Sequence, residues 1–292
     1  MQKITEIPKL PPRPADGHKG LFGKILIVGG SVGFSGAPAL AGRAALRSGA
    51  GLVRVAVPEP ILPVVASLEP CYTTISLAGD ADGRLASEAA GVVLHQAGQN
   101  DVTAFGPGAG VAPGVSDVLM ELIQMDKVRL VVDADGLNTL AGLSKSWIQK
   151  KKASMILTPH PGEMARLWKS LFRKAMPACR TEQAVAVADA ANSIVVLKGA
   201  GTVVTDGKRV YVNTTGNPGM ATAGAGDVLA GVIAALAGQY LSDFDAAILG
   251  VYVHGLAGDI AAQAKGQISL IATDIIEGLP TAFMTRDTAA KK

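Results

Sequence analysis

Short apolar runs rich in valine and isoleucine alternate with longer alanine- and leucine-rich segments along most of the chain. KILIVGG at residues 24–30 and LVRVAVP at residues 52–58 are two such runs, and APALAGRAALRSGA at residues 37–50 lies between them. Strands that alternate with helical segments form βαβ units. Because these runs are apolar almost throughout, they are typical of strands buried on both faces of a sheet. We therefore predict an α/β fold, with a doubly wound, mostly parallel sheet and helices on both faces.

The last third of the chain contains a different signal. GTVVTDGKRVYVN at residues 201–213 consists of two β-type runs on either side of Asp206 and Gly207. An Asp-Gly pair between such runs is a strong sequence signal for a tight turn between antiparallel strands. The sequence thus predicts an antiparallel hairpin within the otherwise parallel sheet.

Nothing in the composition divides the chain into parts. Its 292 residues are 49% apolar and 17% charged, which is enough apolar material to bury a large core. No repeat and no low-complexity linker interrupts the pattern, so we predict one domain over residues 19–286. Residues 1–18 and the tail at residues 287–292 are expected to be loosely ordered.

Charge and composition also exclude several classes of partner. The net charge is only +3, and no basic block interleaved with aromatic residues is present, which argues against nucleic acid. Cys71 and Cys179 lie far apart without metal-ligand spacing, as expected in a reducing compartment. The first 20 residues contain prolines where a signal peptide needs an apolar core, and the longest apolar run, Val228 to Ala237, is too short to span a bilayer. We predict a cytoplasmic protein that does not enter a membrane.

Glycine, proline and polar residues collect where the predicted strands end. GGSVGFSGAP, GPGAG, DADGLN, TPHPGE and KGAGT each follow a strand, and AGAGD precedes an apolar helix. Any one of these segments could be an ordinary turn. Ligands of open α/β sheets, however, bind outside the carboxyl ends of the strands. Six such segments together therefore predict a large site where glycine backbone can approach phosphate groups.

Two familiar phosphate-binding patterns are missing from these segments. No G-x-x-x-x-G-K-[ST] sequence is present, because neither Gly23-Lys24 nor Gly207-Lys208 has the upstream glycine. GGSVGFSG does not have the G-x-G-x-x-G spacing, and no acidic residue follows about 20 residues later at a strand end. The sequence therefore disfavours both the P-loop and the dinucleotide-binding fold.

The segment NTTGNPGMATAGAGDVLAGVIAALAG places a single carboxylate, Asp227, between a glycine-rich loop and an apolar helix. Backbone N–H groups at a helix start attract anions and could stabilise a phosphoryl group that gains charge during transfer. The helix start would also hold the Asp227 carboxylate ionised, so that it could accept a proton from an attacking hydroxyl group. The alternative is that Asp227 serves only as the helix N-cap. An N-cap alone does not explain the preceding AGAG, and we favour the catalytic interpretation.

These motifs together carry a family resemblance that runs from about His18 to Thr281. GNPGMATAGAGDVLAG resembles the anion-hole and catalytic-base signature of ribokinase-like carbohydrate kinases. With HKGLFGKILIVGGSVGFSGAP, DADGLN, TPHPGEMARL and VLKGAGTVVTDG, the chain resembles the NAD(P)H-hydrate dehydratase branch. The resemblance implies a ribokinase-like fold and dehydration of the S-epimer of hydrated NADH or NADPH. It implies ADP or ATP as phosphoryl donor, Mg²⁺ as cofactor, and a product in which the reduced nicotinamide ring is restored.

The resemblance also implies roles for individual residues. Asp227 matches the catalytic base, and the anion hole matches Ala223, Gly224, Ala225 and Gly226. Glu163 would organise Mg²⁺ through water molecules. Four positions match contacts to the hydrated dinucleotide: Ala37, Gly108, His160 and Asn138. The nucleotide positions are Lys198, Gly199, Ala200, Gly201 and Thr202, together with Gly226.

Several alternatives remain open at this point. Asp133 and Asp135 could bind a metal or could stabilise a turn. His254 is expected to pack in an apolar helix, and residues 169–182 are expected to form a solvated surface, with a subunit contact as the alternative. A ribokinase-like kinase that releases its phosphorylated product would use the same base, and a nucleotide-sensing protein would need no base. We also expect a homo-oligomer, such as a tetramer, and an epimerase on a separate protein.

Overall fold

A single ten-stranded sheet organises the chain in the computed structural model, which describes residues 1–143 and 145–289. The strands lie in the order β1-β10-β9-β8-β7-β6-β5-β2-β3-β4. They are β1 (Gln2–Ile4), β2 (Lys24–Val28), β3 (Leu52–Pro58), β4 (Thr73–Leu77), β5 (Val102–Phe105), β6 (Arg129–Val132), β7 (Ser154–Leu157), β8 (Ile194–Leu197), β9 (Val203–Thr205) and β10 (Arg209–Val212).

The direction of the strands confirms the predicted hairpin and the mostly parallel sheet. β9 pairs antiparallel with both of its neighbours, β8 and β10, and every other neighbouring pair is parallel. Gly207, in the turn between β9 and β10, has φ of 88°. Glycine adopts this left-handed backbone without the steric cost that a Cβ atom imposes.

Helices cover both faces of the sheet, as predicted. They are α1 (Gly36–Arg47), α2 (Leu62–Leu68), α3 (Ala90–Ala97), α4 (Pro113–Ile123), α5 (Asp135–Gly142), α6 (Ser146–Lys150), α7 (Pro161–Leu171), α8 (Arg180–Ala191), α9 (Ala225–Ala237), α10 (Asp243–Lys265) and α11 (Ala272–Ala289). α1, α2, α9, α10 and α11 pack on one face, and α3 to α8 pack on the other.

The central strand β2 shows why its residues are apolar on both sides. Ile25 and Ile27 belong to the core beneath α1 and α9, whereas Leu26 and Val28 belong to the opposite core. Successive side chains of a strand point to opposite faces, so a strand covered by helices on both sides needs apolar residues at every position.

The chain changes direction across the sheet at β2, and this change locates a crevice. β3 and β4 follow β2 on one side, and β5, β6, β7 and β8 then follow on the other side. The loops that leave β2 and β5 therefore lead to helices on opposite faces of the sheet, α1 and α4. Such a switch point is the usual ligand crevice of an open α/β sheet.

Helix α10 lies in the core between α9 and α11. Within residues 1–143 and 145–289 it is the one helix whose length and composition would allow it to cross a bilayer, and 72% of its apolar window is buried inside the fold. That degree of burial is typical of a core helix, which is apolar on all sides because protein surrounds it.

Regular secondary structure is present in both end segments of the chain. Residues 2–4 form β1, which pairs with β10 at the edge of the sheet, and Ile7 and Leu10 pack against the core. Arg13 also donates hydrogen bonds to the Gly49 carbonyl and the Gln239 side chain. At the other end, α11 continues through residue 289, and residues 290–292 lie outside the described residues.

Candidate active site

The carboxyl ends of five neighbouring strands bring the sequence motifs to one rim. In the order β8-β7-β6-β5-β2, these strands are followed by KGAGT, TPHPGE, DADGLN, GPGAG and GGSVGFSGAP. The start of α9 lies at the same rim, because a Cβ atom at Gly226 would stand 3.2 Å from the Nζ atom of Lys198 and 3.7 Å from Oδ2 of Asp133. The predicted clustering of the motifs is confirmed.

Helix α9 begins two residues before Asp227, which excludes the N-cap interpretation of that residue. The N-cap is Gly224, with φ of 88°, and no side chain caps the helix. Among the described residues, the backbone N–H groups of Ala223, Gly224, Gly226 and Asp227 have no acceptor, whereas the N–H of Ala225 donates to Thr222. Most of the predicted anion hole is thus available to an external anion.

The carboxyl group of Asp227 has an environment unlike that of a surface aspartate. Burial raises its pKa to about 7, with a further contribution from Asp133, while Lys198 acts in the opposite direction. The sequence predicted that the helix start would hold this carboxylate ionised. That expectation is wrong, because the loss of hydration outweighs the favourable charges nearby. A pKa near neutrality suits a general base, since the group is both available and basic at physiological pH.

Lys198 and Asp133 form a buried ion pair beside Asp227. The Nζ atom of Lys198 lies 2.6 Å from Oδ1 of Asp133, which also accepts a 2.7 Å hydrogen bond from the Thr158 hydroxyl. Asp133 is only 1% exposed. Burial alone would lower the pKa of Lys198, but Asp133 and Glu163 more than offset it, and the pKa lies above its usual value. Lys198 is therefore a permanent positive charge at the rim.

The pairing of Asp133 with Lys198 is the main feature of the site that sequence reasoning did not identify. The choice left open there, metal ligand or turn residue, did not include a lysine partner 65 residues away. A sequence signal did exist, because Asp133 directly follows the buried strand β6 and an unpaired carboxylate at such a position would be costly. Its contact with Lys198 depends on the pairing of β6, β7 and β8, which the sequence does not display.

His160 and Glu163 build the start of α7. The Nδ1 atom of His160 accepts hydrogen bonds from the Gly162 and Glu163 N–H groups, and the Glu163 carboxylate accepts one from the His160 N–H at 2.7 Å. This reciprocal arrangement is a capping box. Because Nδ1 is an acceptor, the ring proton resides on Nε2, 3.3 Å from Oε1 of Glu163. Burial and the positive charge of Lys198 lower the pKa of His160, so the ring is neutral at neutral pH.

Glu163 lies deeper in the site than its predicted role at a hydrated metal suggests. It is 4% exposed, and burial raises its pKa to about 7 although Lys198, 3.8 Å away, favours the ionised form. Among the residues that the structure describes, no group of three or more His, Cys, Asp or Glu side chains is arranged to hold a metal ion.

A magnesium ion does not require such a group. It usually takes one or two carboxylates, several water molecules and the phosphates of a substrate. Asp133, Glu163 and Asp227 act electrostatically on one another around Lys198. These carboxyl groups are thus chemically suited to hold a hydrated Mg²⁺ ion that is bound together with a nucleotide.

A strained backbone separates the two aspartates of the DADG segment. Ala134 has φ of 49° and ψ of −117°, a conformation that non-glycine residues rarely adopt. As a result Asp133 points to Lys198, whereas Oδ2 of Asp135 accepts a hydrogen bond from the Gly110 N–H. Asp135 therefore orients the loop after β5.

Two of the predicted contacts to the hydrated dinucleotide, Ala37 and Gly108, fall on the switch-point side of the rim, whereas His160 lies on the hairpin side. A Cβ atom at Gly108 would lie 3.0 Å from the Cβ atom of Ala37 and 2.9 Å from the Phe34 carbonyl, so the two loops touch there. Asn138 donates to Asp135 and accepts from the Nε atom of Arg166. Gly108 has φ of 65°, so a bulky residue there would strain the backbone as well as block a ligand.

A cavity of about 710 Å³ opens on the opposite, hairpin side of the rim. It contains all of the predicted nucleotide residues from Lys198 to Thr202, as well as His160 and Gly226. Sequence reasoning missed residues 213–218, the loop from β10 towards α9, which also line the cavity. Their amide and hydroxyl side chains, in NTTGN, were the available signal.

His254 lies at the inner end of this cavity and stabilises the start of α9. Its Nε2 atom is 3.0 Å from the Ala225 carbonyl, to which it donates. Burial lowers its pKa to about 4, so the ring is neutral. The predicted packing role agrees with this placement.

Comparisons with known proteins agree with the geometry. The sequence model described as NAD(P)H-hydrate dehydratase matches residues 25–281. A bifunctional NAD(P)H-hydrate repair enzyme of Moorella thermoacetica is 46% identical over 274 residues, which are 93% of this chain and 51% of that protein. The corresponding protein of Thermofilum pendens is 41% identical over 94% of this chain and 52% of its own length. The chain thus spans about half the length of the curated relatives it matches.

Solved structures extend the comparison to the fold. An ADP/ATP-dependent NAD(P)H-hydrate dehydratase from Bacillus subtilis, co-crystallised with ATP/Mg²⁺, superposes with a TM-score of 0.77 at 28% identity, covering 94% of each chain. Ribokinase from Thermotoga maritima, at 16% identity and a TM-score of 0.57, covers 90% of this chain and 100% of its own. The latter similarity concerns the fold alone and confirms that it is ribokinase-like. With the family match over most of its length, the chain belongs to the NAD(P)H-hydrate dehydratase family.

Proposed function

We propose that this chain dehydrates the S-epimer of hydrated NADH or NADPH, with ADP or ATP as phosphoryl donor. The observation that carries the proposal is the position of Asp227, whose carboxyl group has a pKa of about 7. It lies at the start of α9, beside backbone N–H groups without acceptors and beside Lys198. A pure binding protein would not need a base at this point.

The first step transfers a phosphoryl group to the substrate. Asp227 takes the proton of the ring hydroxyl, and the oxygen forms a bond to the terminal phosphorus of the nucleotide. The bond from that phosphorus to the bridging oxygen breaks, which releases AMP from ADP or ADP from ATP. Lys198 and the free N–H groups at the start of α9 stabilise the charge that develops on the phosphoryl oxygens.

The second step restores the ring. The ring-nitrogen electron pair expels the phosphate as the C–O bond breaks, and the neighbouring ring carbon loses a proton, which leaves the reduced nicotinamide. Hydroxide leaves poorly and phosphate leaves well, which accounts for a phosphoryl-transfer site in a lyase. Bound Mg²⁺ would shield the nucleotide phosphates, held through water by Glu163 and Asp133.

The two ligands occupy opposite sides of Asp227 in this proposal. The nucleotide lies in the cavity lined by residues 198–202, and the hydrated ring lies on the side of Ala37, Gly108 and Asn138. His160, which lines the same cavity as the nucleotide residues, would contact the ring from the nucleotide side. The cytoplasmic location, the homo-oligomer and a separate epimerase that supplies the S-epimer remain predictions.

The test is to incubate the protein with hydrated NADH, Mg²⁺ and either ADP or ATP. We expect the near-ultraviolet absorbance of the reduced ring to return. A kinase of another metabolite would leave this substrate unchanged, a kinase of the hydrate would accumulate phosphorylated hydrate without that absorbance, and a sensor would bind without turnover. Any of these three results would refute the proposal.

We expect turnover to depend on both the nucleotide and the divalent cation. Phosphate groups carry high charge, and a metal usually shields them during transfer. Removal of Mg²⁺ by a chelator, or omission of the nucleotide, should therefore abolish the return of absorbance, and added Mg²⁺ should restore it. Full activity in the chelator without nucleotide would contradict the mechanism.

We expect activity to increase with pH through neutrality. Asp227 works only as the carboxylate, and burial raises its pKa to about 7. Below this value the protonated form predominates, so kcat/KM for the hydrate should fall about tenfold per pH unit on the acidic side. Because Glu163 also has a pKa of about 7, the measured value belongs to the coupled pair. A profile that is flat between about pH 5 and about pH 8 would contradict the assignment of Asp227 as the base.

A further inference from the structure

Arg180, the first residue of α8, holds the loop after β8 from behind. Its Nη2 atom donates to the Leu197 and Lys198 carbonyls, each at 2.9 Å. Its Nη1 atom donates to the Ala200 carbonyl and, at 3.4 Å, to the Gly201 carbonyl. One guanidinium group thus engages four carbonyl oxygens of five consecutive residues. The planar fork of arginine makes this possible, whereas a lysine head group has no such fixed geometry.

The N–H groups of the same loop remain free. Among the described residues, the backbone N–H groups of Gly199, Ala200 and Gly201 have no acceptor. Gly199 and Gly201 have φ of 133° and 63°, values that allow carbonyl and N–H directions to alternate over a short segment. Successive free N–H groups in such a turn form a concave site for anionic oxygen atoms.

Arg180 also fixes the backbone that carries Lys198. The N–H of Lys198 donates to the Pro159 carbonyl at 2.8 Å, and its own carbonyl accepts from Arg180. The backbone of Lys198 is therefore held from both sides, while its side chain reaches Asp133. A shift of this backbone would move the positive charge that faces the phosphoryl group.

We propose that Arg180 is a positioning residue for the nucleotide. By engaging the carbonyls of residues 197–201, it presents their N–H groups to the oxygen atoms of a nucleoside di- or triphosphate. It acts from outside the cavity of about 710 Å³, which residues 198–202 line and Arg180 does not. This inference rests on the proposed function, and it assigns a role to the segment 169–182, expected from the sequence to be a solvated surface.

The test compares Arg180→Ala and Arg180→Lys with the parent protein. We expect ADP and ATP to bind on the order of 10- to 100-fold more weakly to Arg180→Ala, since several charge-assisted hydrogen bonds are lost. KM for the hydrate at saturating nucleotide should remain unchanged. Millimolar guanidinium ion should restore part of the nucleotide affinity of Arg180→Ala, and sodium chloride at the same ionic strength should not.

Arg173→Ala is the matched control. Arg173 is an exposed cation in the same segment, so this variant removes the same charge without touching the loop. If the effect were a general loss of positive charge, Arg173→Ala would reproduce it. If Arg180→Ala does not fold, Arg180→Lys carries the test, with a smaller but measurable loss of nucleotide affinity.

Unchanged nucleotide affinity in the folded variants would overturn the inference. A parallel rise of both KM values with a lower melting temperature would also overturn it, because that pattern indicates a purely structural role. Calorimetry of ADP binding separates this inference from the proposed function. If the parent protein binds ADP but does not dehydrate the hydrate, the proposed function is refuted. The effect of Arg180→Ala on ADP binding would still decide the role of Arg180.

Discussion

Asp227→Asn is expected to lower kcat for dehydration by about 10²–10⁴-fold, which is the usual contribution of a positioned general base. Asparagine has nearly the same shape, but it cannot accept the proton of the ring hydroxyl. The helix start should persist, because the N-cap of α9 is Gly224 and Asp227 makes no capping hydrogen bond. Removal of a carboxyl group whose pKa is raised by burial should leave the melting temperature unchanged or slightly higher. Stopped-time assays of the reduced ring and thermal unfolding measure the two quantities.

Asp245→Asn provides a closely matched control for this variant. Asp245 is the third residue of α10, as Asp227 is the third residue of α9. Its carboxylate accepts a hydrogen bond from the hydroxyl of Ser242, the N-cap of α10. We expect full activity from Asp245→Asn. Near-parental turnover in Asp227→Asn at saturating nucleotide and hydrate would show that the carboxylate is not the base.

Lys198→Met should lower kcat by about 10²–10³-fold, the loss typical when a preorganised charge or donor is removed from a developing anion. It should also destabilise the fold by roughly 3–5 kcal/mol, because Asp133 would remain buried without its partner. The pH profile should change as well. Lys198 opposes the rise in the pKa of Asp227, so the acidic limb of kcat/KM should move to higher pH in the variant.

The double variant Lys198→Met with Asp133→Asn separates stability from catalysis. Without a buried charge on either residue, it should recover most of the lost stability and little of the activity. Lys208→Met, which removes an exposed lysine from the adjacent hairpin turn, should behave like the parent. Recovery of turnover in the double variant would mean that Lys198 serves only to neutralise Asp133.

Local sequence signals were sufficient for most of the fold. The apolar runs predicted strands buried on both faces, and β2 shows the reason, since its alternate side chains enter two different cores. The Asp206-Gly207 pair predicted the turn between β9 and β10. The edge strand β1 was missed, because its three residues are too few to show a periodic pattern. Its pairing with β10 is also non-local, so no neighbouring residue indicates it.

The parts of the candidate site that lie within one continuous segment could be predicted from the sequence. The glycines before Asp227 and the KGAGT segment indicated phosphate chemistry, and Gly226 and all five KGAGT residues line the cavity. The interpretation of Asp227 as an N-cap was excluded because the N-cap is Gly224, three residues earlier. Helix starts are difficult to place from sequence to within one or two residues.

The sequence by itself determined the class of fold and the residue types that meet at the rim, because strand periodicity and turn chemistry act over a few neighbouring residues. Only the tertiary structure decided the strand order, which brings Lys198 to Asp133 across 65 residues and Arg180 behind the loop after β8. The pKa of about 7 for Asp227 also belongs to the tertiary structure. It arises from burial and from charges on other strands, and these quantities exist only once the chain has packed.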